Sequence, residues 1–470
     1  MLKKLLTNTL LFGLAPYIPK IVSVLLLPIL TKYLTATDYG IAGSIDVYTQ
    51  ALTALSTLGF SSVLNVSFFR SKCQYKILWR EIYGFLQFWM IVFSIVQGVI
   101  LYNIIPQEAI DNRWLIILLT NFSNVFFGPT AMIGNAYYVL QMKPIPIVSR
   151  SIISGIITVC ANYVFVVHYQ VGYLGWYISS FIGTFIINAS YWYAVNVKLG
   201  LRPILKFKRK TILKYLRVSI PTIPHYYSAY LMNSSSKMVM NLQSVSLSII
   251  GQTNLVLQIG GLVDSWVSAI NQAINPMTMQ KIRNNDEFAA KKLIYVYMGI
   301  TLSCTMFFSL WSKEIFGLLI SNKELATAYP YVIVFVMALN YRPMYVAASN
   351  IFFYYEKTIP LLRITFISGI IALILYLVLI PFFKVWGVMI GFYVSTIYMG
   401  YSGFYMHLFR SKTKAQYPVL KILVIQLLLT FLVFILVDID FVYKIAISIL
   451  LIIILFFFVY KKRINHVGSI

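Results

Sequence analysis

Residues 251–277 read GQTNLVLQIGGLVDSWVSAINQAINPM. Asn254, Gln258, Gly261, Ser265, Ser268, Gln272 and Asn275 recur at intervals of four and three, with Asp264 and Asn271 beside them. Side chains three and four apart share a helix face, so the stretch predicts one helix with a polar stripe along its whole length. Its other faces are apolar, and Asp264 is its one formal charge. A run of more than about 20 residues is long enough to cross a bilayer. A polar face inside a bilayer either lines water or packs on another polar helix.

The rest of the chain extends that reading. Of 470 residues, 60% are hydrophobic and 11% charged, against about 25% charged in ordinary soluble domains. A soluble protein is excluded. The apolar residues suffice for about 14 spans of about 20 residues each, and 14 apolar runs are visible, from 9–33 to 441–460. The connecting loops are short and leave no room for a sizeable soluble domain. The first run has no small-residue cleavage site and continues to Leu34, so it reads as a span and not as a signal peptide.

The net charge of +25 invites a nucleic-acid partner, but its distribution argues otherwise. With the N-terminus inside, 29 of the 38 Lys and Arg fall on inside segments, six outside and three within spans. Lysines and arginines concentrate on cytoplasmic loops. The split predicts an even number of spans with both termini cytoplasmic. The basic loops then serve topology and contact with membrane lipids of negative charge, and no nucleic acid is expected. Cys73, Cys160 and Cys304 form no spaced pair. No metal cluster, Walker motif or nucleophile elbow appears. Neither enzyme chemistry, nor a metal, nor a cofactor is expected.

The chain carries an internal repeat. Pro16-Tyr17-Ile18-Pro19-Lys20 recurs as Pro221-Thr222-Ile223-Pro224-His225, and Pro129, Lys143, Ile145 and Pro146 recur as Pro343, Lys357, Ile359 and Pro360. The expected organisation is an N-terminal six-helix half at 1–197, a basic cytoplasmic linker at 198–214, a second six-helix half at 215–410, and two additional helices with a basic tail at 411–470. Six spans per half makes the halves parallel repeats, a transporter arrangement. The two extra spans are almost wholly Leu, Ile, Val and Phe and are expected to face lipid. Paired prolines in spans 1 and 7 read as static kinks or as hinges.

Five formal charges fall inside spans: Lys20, Asp46, Lys237, Asp264 and Arg342. Each is costly there and marks a functional candidate. Span 2 has a shorter stripe, Asp46-Gln50-Thr53-Thr57, and aligning Gly40 with Gly251 puts its Gln50, Thr53 and Thr57 on Gly261, Asp264 and Ser268 of span 8. A central cavity between the halves, lined by spans 1, 2, 7 and 8, is therefore expected. Lys20, Lys237, Arg342 and His225 are the candidate substrate-binding residues. Asp46, Asp264, Asn254, Gln258, Asn271 and Gln272 are the candidate ion-coupling or polar wall residues. Lys237 and Asp46 lie nearer the outside, where partial snorkelling is open to them. Three cations against two acids suit an anionic ligand. The alternative is internal pairing, Lys20 with Asp46 or Arg342 with Asp264. Tyr226, Tyr227 and Tyr341 are candidates for stacking on sugar rings.

The segment Leu34-Thr35-Ala36-Thr37-Asp38-Tyr39-Gly40, followed by Leu58-Gly59-Phe60 and Phe68-Phe69-Arg70, resembles the L-[ST]-x-x-[DE]-[YF]-G pattern of Wzx-type polysaccharide flippases. These belong to the multidrug/oligosaccharidyl-lipid/polysaccharide exporter superfamily. The resemblance implies an all-α membrane protein of about 14 helices, two six-helix pseudo-repeats around a central cavity plus two extra helices. It implies flipping of an undecaprenyl-diphosphate-linked oligosaccharide, an O-antigen or capsule repeat unit, across the bacterial inner membrane. A lipid-linked oligosaccharide substrate, H+ or Na+ as coupling ion, and a polysaccharide polymerase and chain-length regulator are the implied partners. A multidrug or cation antiporter of the same fold is the alternative, with a polytopic polymerase behind it.

Overall fold

The structure is a computed structural model that describes residues 23–450 except 25, 71–73 and 358; the side chains of Phe69, Arg70, Thr222 and His225 also lie outside it. Lys20 and most of the first apolar run fall outside the described residues. The described chain is nearly all helix. Every expected run from 41 to 450 coincides with helical structure. Seven helices are long and apolar enough to cross a membrane, or eight if Ala36–Thr57 and Phe60–Phe68, bent by 42°, count as one span. This is a multi-span membrane protein. Internal contacts divide it into two compact units, Met1–Tyr230 with Ser244–Gly251, and Leu231–Gln243 with Gln252–Ile470.

In the first unit, α1 (Leu27–Tyr33) and α2 (Ala36–Thr57) are joined by the motif that carries the resemblance. Four of the motif residues, Thr35, Asp38, Tyr39 and Gly40, have structural tasks. Thr35 is the N-cap of α2: Asp38 N–H donates to Thr35 Oγ1 at 3.2 Å, and Thr35 N–H donates to Asp38 Oδ2 at 2.8 Å. This reciprocal pair satisfies the orphan donors of a helix start. Asp38 Oδ1 also accepts from Tyr173 N–H at 3.0 Å, tying in a helix 135 residues away. Tyr39 is buried edge-on against Trp176, with ring centroids 5.1 Å apart. Gly40 meets the backbone of Leu247, where a Cβ would lie 2.0 Å from its carbonyl oxygen; Gly251 meets Ala36 O at the same crossing. The two glycines aligned by the repeat thus permit one close helix crossing. Leu58 in the left-handed region and Gly59 at φ 70° end α2, and α3 (Phe60–Arg70) continues at an angle.

The unit continues through α4 (Tyr75–Ile104), α5 (Arg113–Leu140), α6 (Ile145–Asn162), α7 (Tyr173–Tyr193) and the short basic α8 (Arg209–Ser219). Helix α4 packs on α5, α5 on α7, and α7 on α6. Span 7 is not one helix. Pro221 and Pro224 cannot donate, and the chain breaks at Ile220–Thr222 into α9 (Ile223–Asn233), then again before α10 (Ser235–Leu242). The Tyr226, Tyr227 and Tyr230 hydroxyls donate to the carbonyls of Gln50, Ala51 and Val47 on α2.

In the second unit, α11 (Leu247–Arg283) is the 37-residue helix that carries the polar stripe. It is followed by α12 (Glu287–Leu310), α13 (Tyr329–Ala338), α14 (Arg342–Tyr354), α15 (Ile359–Phe383), α16 (Val385–Tyr405), α17 (Val419–Leu436) and the described part of the last span, α18 (Phe441–Leu450). A short tight turn, Leu339–Tyr341, separates α13 from α14 just before Arg342-Pro343.

Candidate functional site

The break at Leu339–Tyr341 positions Arg342. Pro343 lacks an N–H, so a regular helix cannot run through this point. In a membrane the freed carbonyls need donors from elsewhere. Gln426 on α17 supplies one: its Nε2 donates to Asn340 O at 2.9 Å, while Tyr401 OH donates to Gln426 Oε1 at 2.5 Å. Asn340 Oδ1 accepts from Thr305 at 2.9 Å. Tyr341 OH donates to Tyr393 OH at 2.6 Å, and Tyr393 OH donates to Thr430 Oγ1 at 2.8 Å. Asn340, Tyr341 and Gln426 are buried. Most of α17 is exposed apolar surface, as expected of a lipid-facing span, yet it docks on this network through Gln426 and Thr430. These two residues, four apart in an apolar run, were the signal that the sequence reading passed over. Tyr341 is sealed inside the network and cannot stack on a sugar, a correction to that expectation. Tyr227 and Tyr226 hold α2 through their hydroxyls.

Beyond the break, Arg342 Nη1 donates to Asp264 Oδ1 and, at 3.3 Å, to Ser268 Oγ. The pairing alternative is therefore realised for Arg342 and Asp264. The side chains keep 22% and 33% exposure, so the guanidinium is held but not sealed. Lys237 is buried at 5% exposure and its Nζ donates to Asn254 Oδ1 at 3.0 Å. It does not snorkel to the surface, because α10 turns it inward onto α11. Gln258 Oε1, Asn271 Oδ1 and Asn275 Oδ1 are buried and make no hydrogen bond with the described protein groups; Gln272 is exposed. Lys20 lies outside the described residues, as does the side chain of His225 on α9.

The clearest cavity among the described residues lies within the first unit. It is about 440 Å³ and is lined by α2, α4, α5 and α7, with Asp46, Thr49, Thr53 and Thr57 on one wall and Gln97, Ser123 and Asn188 opposite. The expectation of a stripe on α2 facing polar space holds for Asp46, Thr53 and Thr57. Gln50 is not in that wall. The walls of this cavity are spans 2, 3, 4 and 6, with Ser and Asn residues of α5 and α7 across from α2. Thr49 and Thr53 hydroxyls donate back to Asp46 O and Thr49 O, and Ser56 donates to Thr53 O. Their free lone pairs make this wall rich in acceptors. No Lys, Arg or His is among the described lining residues.

Lys444 stands near the start of α18. It is fully buried at 0% exposure, with its Nζ 2.5 Å from Glu314 Oε1. Lys313 pairs with Asp438 at 2.7 Å, and Trp311 Nε1 donates to Ser448 Oγ at 2.8 Å. The segment before α13 thus clamps the final hairpin.

No protein-family model and no curated protein matches the chain. Solved structures do. The lipid II flippase MurJ, in an inward closed conformation, is similar over 97% of this chain and 100% of its own, with TM-score 0.75 and 16% identity. The fold is that of the MOP-superfamily transporters. A multidrug resistance MATE family transporter in an inward-facing conformation covers 86% of this chain and 96% of its own at TM-score 0.63 and 12% identity. A MOP superfamily transporter from Pyrococcus furiosus Vc1, described as having a binding pocket of reverse polarity, gives TM-score 0.58 and 13% identity over 87% of this chain and 96% of its own.

Proposed function

We propose that this chain is a flippase for an anionic lipid-linked oligosaccharide, an undecaprenyl-diphosphate-linked O-antigen or capsule repeat unit, moved from the cytoplasmic to the periplasmic leaflet of the bacterial inner membrane. The observation that carries the reading is Arg342, a guanidinium inside a spanning helix whose counter-ion Asp264 leaves it partly exposed. Asp264 holds the cation in the empty protein. A diphosphate offers more negative charge and bidentate geometry, so it competes for the same guanidinium. Lys237 adds positive charge to the same unit as Arg342, and Lys20, outside the described residues, is a further candidate. Asp46, in its acceptor-lined cavity, is the candidate for H+ or Na+ coupling. Two further features support the reading: the MOP transporter fold, and the sequence resemblance to polysaccharide flippases. The 29-to-6 cation split supports cytoplasmic termini. A polymerase and chain-length regulator would consume the product.

The alternative, a multidrug or cation antiporter of the same fold, is favoured by the acid and the lack of basic residues in the described lining of the first cavity. Complementation of a flippase-null strain separates the two. Restored surface glycan, lost again with Arg342→Ala at normal protein level, supports the flippase. Drug tolerance without glycan supports the antiporter.

A further inference from the structure

We propose that Asn271 and Asn275 are acceptor subsites for the sugar adjoining the phosphate that Arg342 holds. The inference rests on the reading of Arg342 given above. Asp264, Ser268, Asn271 and Asn275 follow one another at intervals of four, three and four on α11, so they form a column on one helix face. Arg342 occupies the first two positions, through Asp264 Oδ1 and Ser268 Oγ. The next two positions end in buried amide oxygens, Asn271 Oδ1 and Asn275 Oδ1, that accept no hydrogen bond from the described protein groups. Buried acceptors without donors are rare and costly in native structures, and the bilayer interior sharpens that cost.

The column therefore asks for a ligand with two chemistries in a fixed order. At Arg342 it must be anionic. Beyond Arg342 it must bring O–H or N–H donors. At about 1.5 Å of rise per residue, Asn271 stands about 10 Å past Asp264 along the helix axis and Asn275 about 16 Å past it. Residues four apart on a helix are about 5–6 Å apart, a separation that a single pyranose ring bridges. A bare phosphate has acceptors only and leaves both asparagines unsatisfied. An apolar drug satisfies neither chemistry. A glycosyl phosphate satisfies both, with hydroxyl or acetamido N–H groups donating to the two oxygens. Sugar recognition is thereby assigned to the same helix face as phosphate recognition.

The test uses the full chain in two settings. In a flippase-null strain, Asn271→Leu and Asn275→Leu should each lower surface glycan by about tenfold, the usual scale for losing one such bond, with protein level unchanged. Asn271→Asp and Asn275→Asp keep the acceptor and lose the donor, and should retain export. In lipid nanodiscs, wild-type protein should bind N-acetylglucosamine 1-phosphate more tightly than inorganic phosphate. That preference should vanish in Asn271→Leu while inorganic phosphate binding stays unchanged. Wild-type export from both Leu variants, or an unchanged preference, overturns the subsite. Loss of export in the Asp variants at normal protein level overturns it too, because the donor would then be the needed group. If a Leu variant fails to accumulate, Asn271→Ser, too short to reach the same ligand, carries the measurement. Normal export from Arg342→Ala as well would remove the underlying transport reading. Failure of Arg342→Ala with normal Asn271→Leu would remove only the inference drawn here.

Discussion

Two helices each carry one acid on a polar stripe, and the protein treats the two acids differently. Asp264 on α11 is gripped by Arg342 and flanked by amide oxygens. Asp46 on α2 faces a cavity of about 440 Å³ whose described walls bring hydroxyls and amides but no cationic side chain. The helices differ accordingly. α11 runs unbroken for 37 residues, whereas α2 ends at Leu58-Gly59 and restarts at an angle. A stripe of polar residues therefore does not by itself say what it faces. The opposing helix decides: α14 brings a guanidinium to one acid, while α5 and α7 bring Ser and Asn to the other. Under the proposed function, one station takes an anion and the other a small cation or proton.

The largest expected effect breaks the first station. Arg342→Ala should reduce surface glycan to background and also destabilise the protein, since Asp264 loses its counter-ion. Breaking a buried pair costs about 3–5 kcal/mol, and the low end applies here because both side chains keep some exposure. Arg342→Ala with Asp264→Asn should recover most of the stability, read as a thermal melt in detergent, but none of the export. Recovery of export in the double variant would mean that Arg342 serves only to neutralise Asp264. Arg342→Lys should restore export in part, because charge returns without the planar fork.

Asp46→Asn tests the second station and should act on energetics more than on binding. Export driven by a proton or sodium gradient should fall by about tenfold, within the usual range of coupling energies. Binding of N-acetylglucosamine 1-phosphate to purified protein should not change. A loss of sugar-phosphate binding in Asp46→Asn would erase the distinction between the stations.

How far sequence alone reached is instructive at this point. The spans were legible because apolar runs of that length have few other uses. The stripe of α11 was legible because its period is helical, and Arg342 with Asp264 because charges inside spans are rare. Gln426 was missed although Gln426 and Thr430 stand four apart in an apolar span, a pattern that marks a polar docking face. The pairing of Lys444 with Glu314 was not legible, because the two lie 130 residues apart. The lining of the first cavity was not readable either. It depends on α5 and α7 presenting Ser123 and Asn188 toward α2, which a single-helix pattern does not encode. The flippase motif, by contrast, was read as a family mark, and its residues turn out to build a helix cap and a crossing.

Gln426→Leu is the next smaller effect, and it sharpens the account of the first station. It leaves Asn340 O without its donor and Tyr401 OH without its acceptor, each buried. About 1–3 kcal/mol per unsatisfied group is the expected scale. The melting temperature should fall. A cysteine at Ser268, beside Arg342, should react faster with a hydrophilic thiol reagent as the break loosens. An unchanged melt and unchanged reactivity would mean that α17 merely covers the unit.

The smallest effect concerns a third acid and cation, Lys313 and Asp438, which lie outside the spans. The hydrogen bond between them raises the Lys313 ammonium above its usual 10.5 and lowers the Asp438 carboxyl below its usual 3.8, with Tyr329 also donating to Asp438. The signs define a window. A depressed carboxyl contributes stability that is present above 3.8 and lost as pH falls through its folded value. A raised ammonium contributes stability that is present below 10.5 and lost as pH rises through its folded value. Between those limits the pair contributes at a constant level. Both groups are about half exposed, so solvent and salt screen them and the contribution is small. Asp438→Asn should lower the melting temperature slightly and equally from pH 5 to 9, and the difference should shrink in 1 M salt and vanish in acid. Lys444→Met at the neighbouring buried pair should cost far more, and salt should not erase it. Glu314 would be left without its cation, and Lys444 is fully buried. Equal, salt-sensitive losses at both pairs would mean that burial does not set the strength of these contacts. The contrast between a gripped Asp264 and a cavity-facing Asp46 would then lose its energetic basis.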